Sequence, residues 1–267
     1  MPVASIRDLN VYYEEAGQGE PLVLIVGVGG DLQSWGLQVP ALAKHFRVIT
    51  FDNRGAGRTS APDKPYSIVQ MADDTVALMD HLGIAAANVV GWSMGGYIAQ
   101  ELALKHKARV KKLVLLTTAP NIDGYGEAVI DAWIGARRSN MSREHLARLT
   151  ACWLYSPEFL DDRARFERAI QATLANPYPQ QDHAFIRQAT AIRGFDTRDR
   201  LKDLKLDTLV IAAQDDNLVP PRNSERLAKL IADAKLVTLP GGHVGCIEYA
   251  AEYNAALLEF LGAAVPA

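Results

Sequence analysis

Gly91-Trp92-Ser93-Met94-Gly95 is the segment that most restricts how this chain can fold. It lies between an apolar run, Asn88-Val89-Val90, and a stretch of helical character over residues 97–105. A G-x-S-x-G sequence in that setting reads as a sharp strand-to-helix turn. The turn lifts the serine hydroxyl above the end of a sheet and points the next backbone N–H, that of Met94, at an incoming carbonyl oxygen. Such a turn imposes an unfavourable conformation on the serine. Cβ atoms at 91 and 95 would collide with the crowded backbone, so both positions call for glycine. Gly96 stands where the helix must pack closely on the sheet. A chance match would fall in a loop or mid-helix as readily as at a strand end, so Ser93 is expected to be a nucleophile.

A serine hydroxyl attacks poorly until a base takes its proton and a third group orients that base. Of six histidines, only His243 follows the last strongly apolar strand candidate, residues 235–239. It sits in the glycine-rich turn Pro240-Gly241-Gly242-His243, and loops carried by a rigid sheet are where catalytic side chains are held. His45, His81, His106, His145 and His183 have charged neighbours and read as solvated. The acid is expected at the end of the preceding strand, residues 208–213, which runs into Gln214-Asp215-Asp216-Asn217-Leu218-Val219-Pro220. Adjacent side chains there point in different directions, so only one aspartate can face His243. The spacing to Pro220 favours Asp216 and leaves Asp215 as a solvent-facing turn residue. An acid placed after the strand at 113–117 would instead be Asp123.

Other chemistries fit less well. Gly27-Val28-Gly29-Gly30 follows a strand as a dinucleotide-binding loop would, but G-x-G-x-x-G needs glycine at 32 and the chain has Leu32. No G-x-x-x-x-G-K-[ST], H-x-x-H or H-E-x-x-H spacing occurs, so neither a phosphate loop nor a zinc site is expected. Cys152 and Cys246 stand far apart without a C-x-x-C context and read as small buried hydrophobes. A net charge of −3 with dispersed lysines and arginines offers no field for nucleic acid. The opening residues 1–7 carry no long apolar run, so neither signal peptide nor membrane anchor is expected and the expected location is the cytoplasm.

Short strands near 5–6 and 11–13 precede buried-type strands near 22–26, 48–51, 89–92, 113–117, 209–213 and 236–239. Apolar runs of this kind, alternating with amphipathic helices, imply an α/β fold with a mostly parallel sheet covered on both faces. From Pro120 to about Gly194 the strand pattern stops. Trp133, Trp153, Tyr155, Phe159, Phe166, Tyr178 and Phe185 gather there in helical stretches broken by Pro157, Pro177 and Pro179. The expected organisation is a core over 1–119, an inserted helical cap over 120–194 and the rest of the core over 195–267.

With these features in place, the chain resembles the α/β-hydrolase superfamily over nearly its whole length. Residues 24–30 with Trp35 look like that family's oxyanion loop, with Val26 where a histidine is common. Residues 51–60 are similar to its D-x-R-G-x-G-x-S turn, and Gly241-Gly242-His243 followed by Glu248 to its histidine loop. The resemblance implies an oxyanion hole from the Val28 and Met94 amides. It also implies cofactor-free hydrolysis of an ester or lactone through an acyl-serine, with Ser93, Asp216 and His243 as the triad. Serine at 93 speaks against the family's dehalogenases and epoxide hydrolases, which use aspartate there. Trp92, Trp133, Trp153 and Tyr155 are expected to line the substrate pocket. The loops look most like those of 3-oxoadipate enol-lactonases, whose carboxylated lactone would require cations from the cap. Arg137, Arg138, Arg143, Arg148, Arg163, Arg165, Arg168, Arg187 and Arg193 are available for that. Two alternatives remain: a carbon–carbon bond hydrolase of ring-cleavage diketones, in which a tryptophan often stands where Val244 is, and a non-catalytic small-molecule receptor.

Overall fold

The computed structural model of the chain describes residues 2–263. Its β-branched and aliphatic runs become eight strands: β1 (Val3–Ile6), β2 (Leu9–Ala16), β3 (Glu20–Ile25), β4 (Phe46–Phe51), β5 (Ala87–Trp92), β6 (Val110–Leu116), β7 (Thr208–Ala213) and β8 (Lys235–Leu239). They form one sheet in the order β1-β2-β4-β3-β5-β6-β7-β8. The first two pairings are antiparallel and the remaining neighbours run parallel. Every residue of β5 and of β7 is buried, as expected of central strands covered on both faces. Alternation along β3 sorts Val23 and Ile25 into one apolar cluster and Leu22 and Leu24 into the other. Ser93 leaves the C-terminal end of β5, and the helix Met94–Lys105 begins immediately after it, three residues earlier than the sequence pattern suggests.

Between β6 and β7 the chain leaves the sheet for the helices Gly124–Arg138, Arg143–Leu154, Pro157–Asp161, Arg163–Ala175 and Asp182–Ile192, followed by the short helix Arg198–Leu201. Four of them start at an Asp or Ser whose side chain accepts an N–H three residues on: Asp123, Ser142, Ser156 and Asp162. The excursion is pinched at its base. Asn121 bridges Asp196, the Ile122 N–H donates to the Phe195 carbonyl at 3.2 Å, and the Thr197 N–H to that of Pro120 at 2.9 Å. Among the described residues, no helix is long and apolar enough to cross a membrane. Cys246 is buried as expected, but Cys152 is exposed, because its helix turns that side outward.

The turn after β4 is built around two buried acids. Asp52 accepts the Leu32 and Arg58 N–H groups, each at 2.8 Å, and Gly57, with φ of +49°, leaves no room for a Cβ beside that carboxylate. Arg54, wholly buried, forms paired hydrogen bonds to Asp74, both at 2.9 Å, and to Asp8 at 2.9 and 2.8 Å. The hydrogen bonds from Arg54 hold Asp8 well below the usual carboxylate range. Asp74 goes the other way: burial outweighs the same guanidinium and pushes it up to about 6.

Arg54→Met therefore strands a buried carboxylate, and urea unfolding at neutral pH should show a loss of about 3–5 kcal/mol. Because a raised carboxyl binds its proton more tightly in the folded state, the loss should shrink as pH falls through 6. An equal loss at pH 5 and pH 8 would show that the charge of Asp74 is not its cause.

Candidate active site

Ser93 has φ of +57° and ψ of −120°, a conformation that costs roughly 1–3 kcal/mol unless the surroundings enforce it. They do so from three sides. The Ser93 N–H donates to the Leu116 carbonyl at 3.0 Å, and the Ser93 carbonyl accepts the Gly96 N–H at 2.8 Å and the Thr118 hydroxyl at 2.9 Å. A Cβ on Gly95 would collide with the Ile25 carbonyl, one on Gly91 with Gly95, and one on Gly96 with Thr118. The three glycines are thus required by close approach of the helix to β3, β5 and β6, and the hydroxyl emerges half-buried.

His243 sits in the turn after β8 and is nearly fully buried. Its Nε2 lies 2.8 Å from Ser93 Oγ, and its Nδ1 lies 2.8 Å from Asp216 Oδ2. The other Asp216 oxygen accepts the Leu218 and Val219 N–H groups, both at 2.8 Å, so the carboxylate is fixed as an acceptor. That assigns the proton of the neutral ring to Nδ1 and leaves Nε2 free to accept the serine proton. Asp215 faces solvent, with its N–H donating to the Gly241 carbonyl. Asp123 caps the helix Gly124–Arg138 and accepts from Asn223 rather than from His243.

On the facing loop, Gly27 closely approaches Ser93; a Cβ there would lie 2.9 Å from that of Ser93. The Val28 and Met94 N–H groups donate to no protein acceptor among the described residues. Around Val26 the loop is held by amide side chains. Asn53 donates to the Val26 carbonyl at 2.8 Å, and Gln188, fully buried, accepts from the Gly29 N–H at 3.5 Å while donating to the Arg54 carbonyl at 2.8 Å. Asn176 donates to Asp31 at 2.8 Å.

The four residues expected around a substrate divide. Trp92 points to the opposite face of β5, packs edge-on against Trp35 at 5.5 Å and donates its indole N–H to the His243 carbonyl at 3.1 Å. It is a core residue that supports the histidine loop, because strand alternation turns it away from Ser93. Tyr155 stacks on Phe159 at 4.2 Å and packs the helices onto each other. Trp133 and Trp153 meet edge to face at 6.0 Å, Trp133 lies 6.2 Å from Phe185, and a Cβ on Gly29 would touch that phenylalanine ring. These three aromatics share one apolar cluster with Met94, Val28, Leu218 and Val219. The indole N–H of Trp133 is buried without a partner.

The helical arginines turn outward. Arg137 pairs with Asp182, Arg148 with Glu144 and Glu167, Arg187 with Asp63, and Arg193 with Asp131. Arg165 donates to the Glu248 carbonyl, while Arg138, Arg143, Arg163 and Arg168 are exposed.

The sequence reading named Glu248 in the histidine-loop pattern but gave it no role. The buried Glu248 carboxylate accepts the Gly242 N–H at 2.9 Å and both the N–H and hydroxyl of Ser156, tying the residue before His243 to the start of the helix Pro157–Asp161. Its signal was an acid closing the apolar run Val244-Gly245-Cys246-Ile247. Among the described residues, no three His, Cys, Asp or Glu side chains gather as a metal site.

The sequence profile described as alpha/beta hydrolase fold matches residues 20–250. The chain is 32% identical, over 98% of both chains, to a protein of Azorhizobium caulinodans named "Putative carbamate hydrolase RutD". It is 35% identical to a protein of the same name from Variovorax paradoxus, over 95% of this chain and 96% of that one. The enol-lactonase from Burkholderia xenovorans LB400 superposes with a TM-score of 0.89 at 29% identity, covering 98% of this chain and all of that one.

Glu248→Gln replaces one acceptor oxygen with a donor facing other donors, so thermal unfolding should report a loss of roughly 1–3 kcal/mol. Full stability in that variant would mean that the carboxylate does not hold the two segments together.

Proposed function

The chain belongs to the alpha/beta hydrolase fold family, and on that premise we propose that it is a serine hydrolase cleaving a carboxylic ester or lactone through an acyl-serine. The observation that carries this reading is the relay from Asp216 through His243 to a hydroxyl held at positive φ, with 2.8 Å at each step. His243 takes the Ser93 proton as Oγ attacks the carbonyl carbon, and returns it to the leaving alcohol. Asp216 keeps the imidazole in the useful tautomer and stabilises the imidazolium. The Val28 and Met94 amides meet the oxyanion of the tetrahedral intermediate, each donor contributing about 3–4 kcal/mol in comparable sites. Water deprotonated by His243 then attacks the acyl-serine, and the intermediate collapses with His243 returning that proton to the leaving Ser93 oxygen, which releases the acid and restores the enzyme. In this reading residues 120–194 act as a cap over the core, and the substrate is a small molecule.

A carbamate is the second reading, supported by the printed names of the relatives at 32% and 35% identity. It uses the same residues on a less electrophilic carbonyl. A panel of purified p-nitrophenyl acetate, lactones, aryl carbamates and diketones ranks the classes by kcat/KM, and turnover of any of them sets the receptor alternative aside.

Ser93→Ala should lower turnover of p-nitrophenyl acetate by roughly 10⁴-fold or more while leaving the melting temperature intact. Asp216→Asn should cost orders of magnitude in kcat and Asp215→Asn little. Near wild-type rates in the serine variant would remove the nucleophile assignment, and equal losses at the two aspartates would remove that of the acid.

Trp153→Ala should change the ranking among acyl groups more than it changes acetate hydrolysis, whereas Tyr155→Ala should act through stability. If Trp153→Ala folds normally and keeps wild-type ratios across the panel, the pocket is built elsewhere.

A further inference from the structure

The aromatic residues that the helical segment brings to the loop at Gly29 carry no charge. The Phe185 ring lies where a Cβ on Gly29 would touch it, Trp133 lies 6.2 Å from Phe185, and Trp153 meets Trp133 edge to face at 6.0 Å. The helical segment over 120–194 contains nine arginines and no lysine. Each of those arginines is paired with a surface acid, bonded to a carbonyl or exposed, as described above. Arg137 comes nearest, with its guanidinium 3.9 Å from the centre of the Phe185 ring, but it is already committed to Asp182 at 2.7 Å. Arg54, beneath the loop, is locked between Asp8 and Asp74. The unpartnered indole N–H of Trp133 can meet a neutral oxygen but cannot balance a charge.

From this placement we propose that the part of the substrate held beneath the helices is neutral and apolar, and that a substrate bearing a carboxylate there is rejected. The proposal rests on the serine-hydrolase reading and narrows its substrate class. A carboxylate entering such a site loses its water without gaining a counter-ion, at a cost of several kcal/mol, and it does so near the carboxylate of Asp216. It also adds negative charge to a centre where an oxyanion must form. Arg222 does not alter the balance. It borders an open cleft of about 460 Å³ along the acid loop, shared with Asp215 and Asp216 but lined by neither Ser93 nor His243.

The test uses the full chain and three esters of one acyl length: p-nitrophenyl pentanoate, the mono-p-nitrophenyl ester of glutarate, and its neutral methyl p-nitrophenyl diester. Both neutral esters should exceed the glutarate half-ester by about 100-fold or more in kcat/KM, as expected for several kcal/mol. A half-ester rate within about threefold of the pentanoate rate, or above it, overturns the proposal and leaves the hydrolase reading standing. If no ester turns over, the hydrolase reading is the one that fails. The charge proposal is then decided by calorimetric binding of methyl pentanoate and monomethyl glutarate to Ser93→Ala. Weaker binding of the anion supports it, and equal or tighter binding overturns it.

Discussion

A backbone that an L-residue resists is held in place at Ser93, and the architecture around it exists to hold it. The helix Met94–Lys105 approaches β3 so closely that Gly95 has no room for a side chain against Ile25. This approach fixes where the hydroxyl emerges. Strand β6 then contributes Leu116 and the residues just beyond it contribute Thr118, each bonded to the backbone of Ser93. A parallel sheet supplies such a point naturally, because the carboxyl ends of its central strands open toward the same side and the loops that follow them converge there.

Three loops meet at that point, and each is fastened to the helical segment by at least one hydrogen bond. Gln188 and Asn176 reach the loop after β3, Ser156 meets Glu248 in the histidine loop, and the Tyr125 hydroxyl donates to the Asn217 carbonyl at 2.7 Å in the acid loop. The helices therefore supply part of the scaffold that sets the neighbours of Ser93. Trp92 supports the relay from below, donating to the His243 carbonyl from the opposite face of the sheet.

Much of this was legible in the chain because it depends on local chemistry. The glycines at 91, 95 and 96 announce a turn that admits no Cβ. The order of apolar runs announces a mostly parallel sheet, and the break at residue 120 announces the departure into helices. His243 and Asp216 could be picked out because strand ends followed by glycine or proline are where a rigid sheet presents side chains. Less legible was any role that depends on which way a side chain turns after packing. Trp92 adjoins Ser93 in sequence, yet the two-residue period of the strand sends it into the other half of the core. Tyr155 is aromatic like Trp153, but a stack on Phe159 uses it to join helices.

The sequence by itself determined the fold class, the strained turn and the short set of residues able to form a proton relay, since each follows from steric limits and spacing within a few positions. Only the tertiary structure decided how that set is used. It chose Asp216 over Asp215 and Asp123 by bringing one carboxylate to 2.8 Å from His243, and it made Glu248 a bridge to Ser156 across 92 positions of chain. It also turned the nine arginines toward surface acids, a backbone carbonyl and solvent, and set the Phe185 ring against the loop at Gly29. Contacts between residues so far apart depend on how whole elements pack, and no local pattern encodes that.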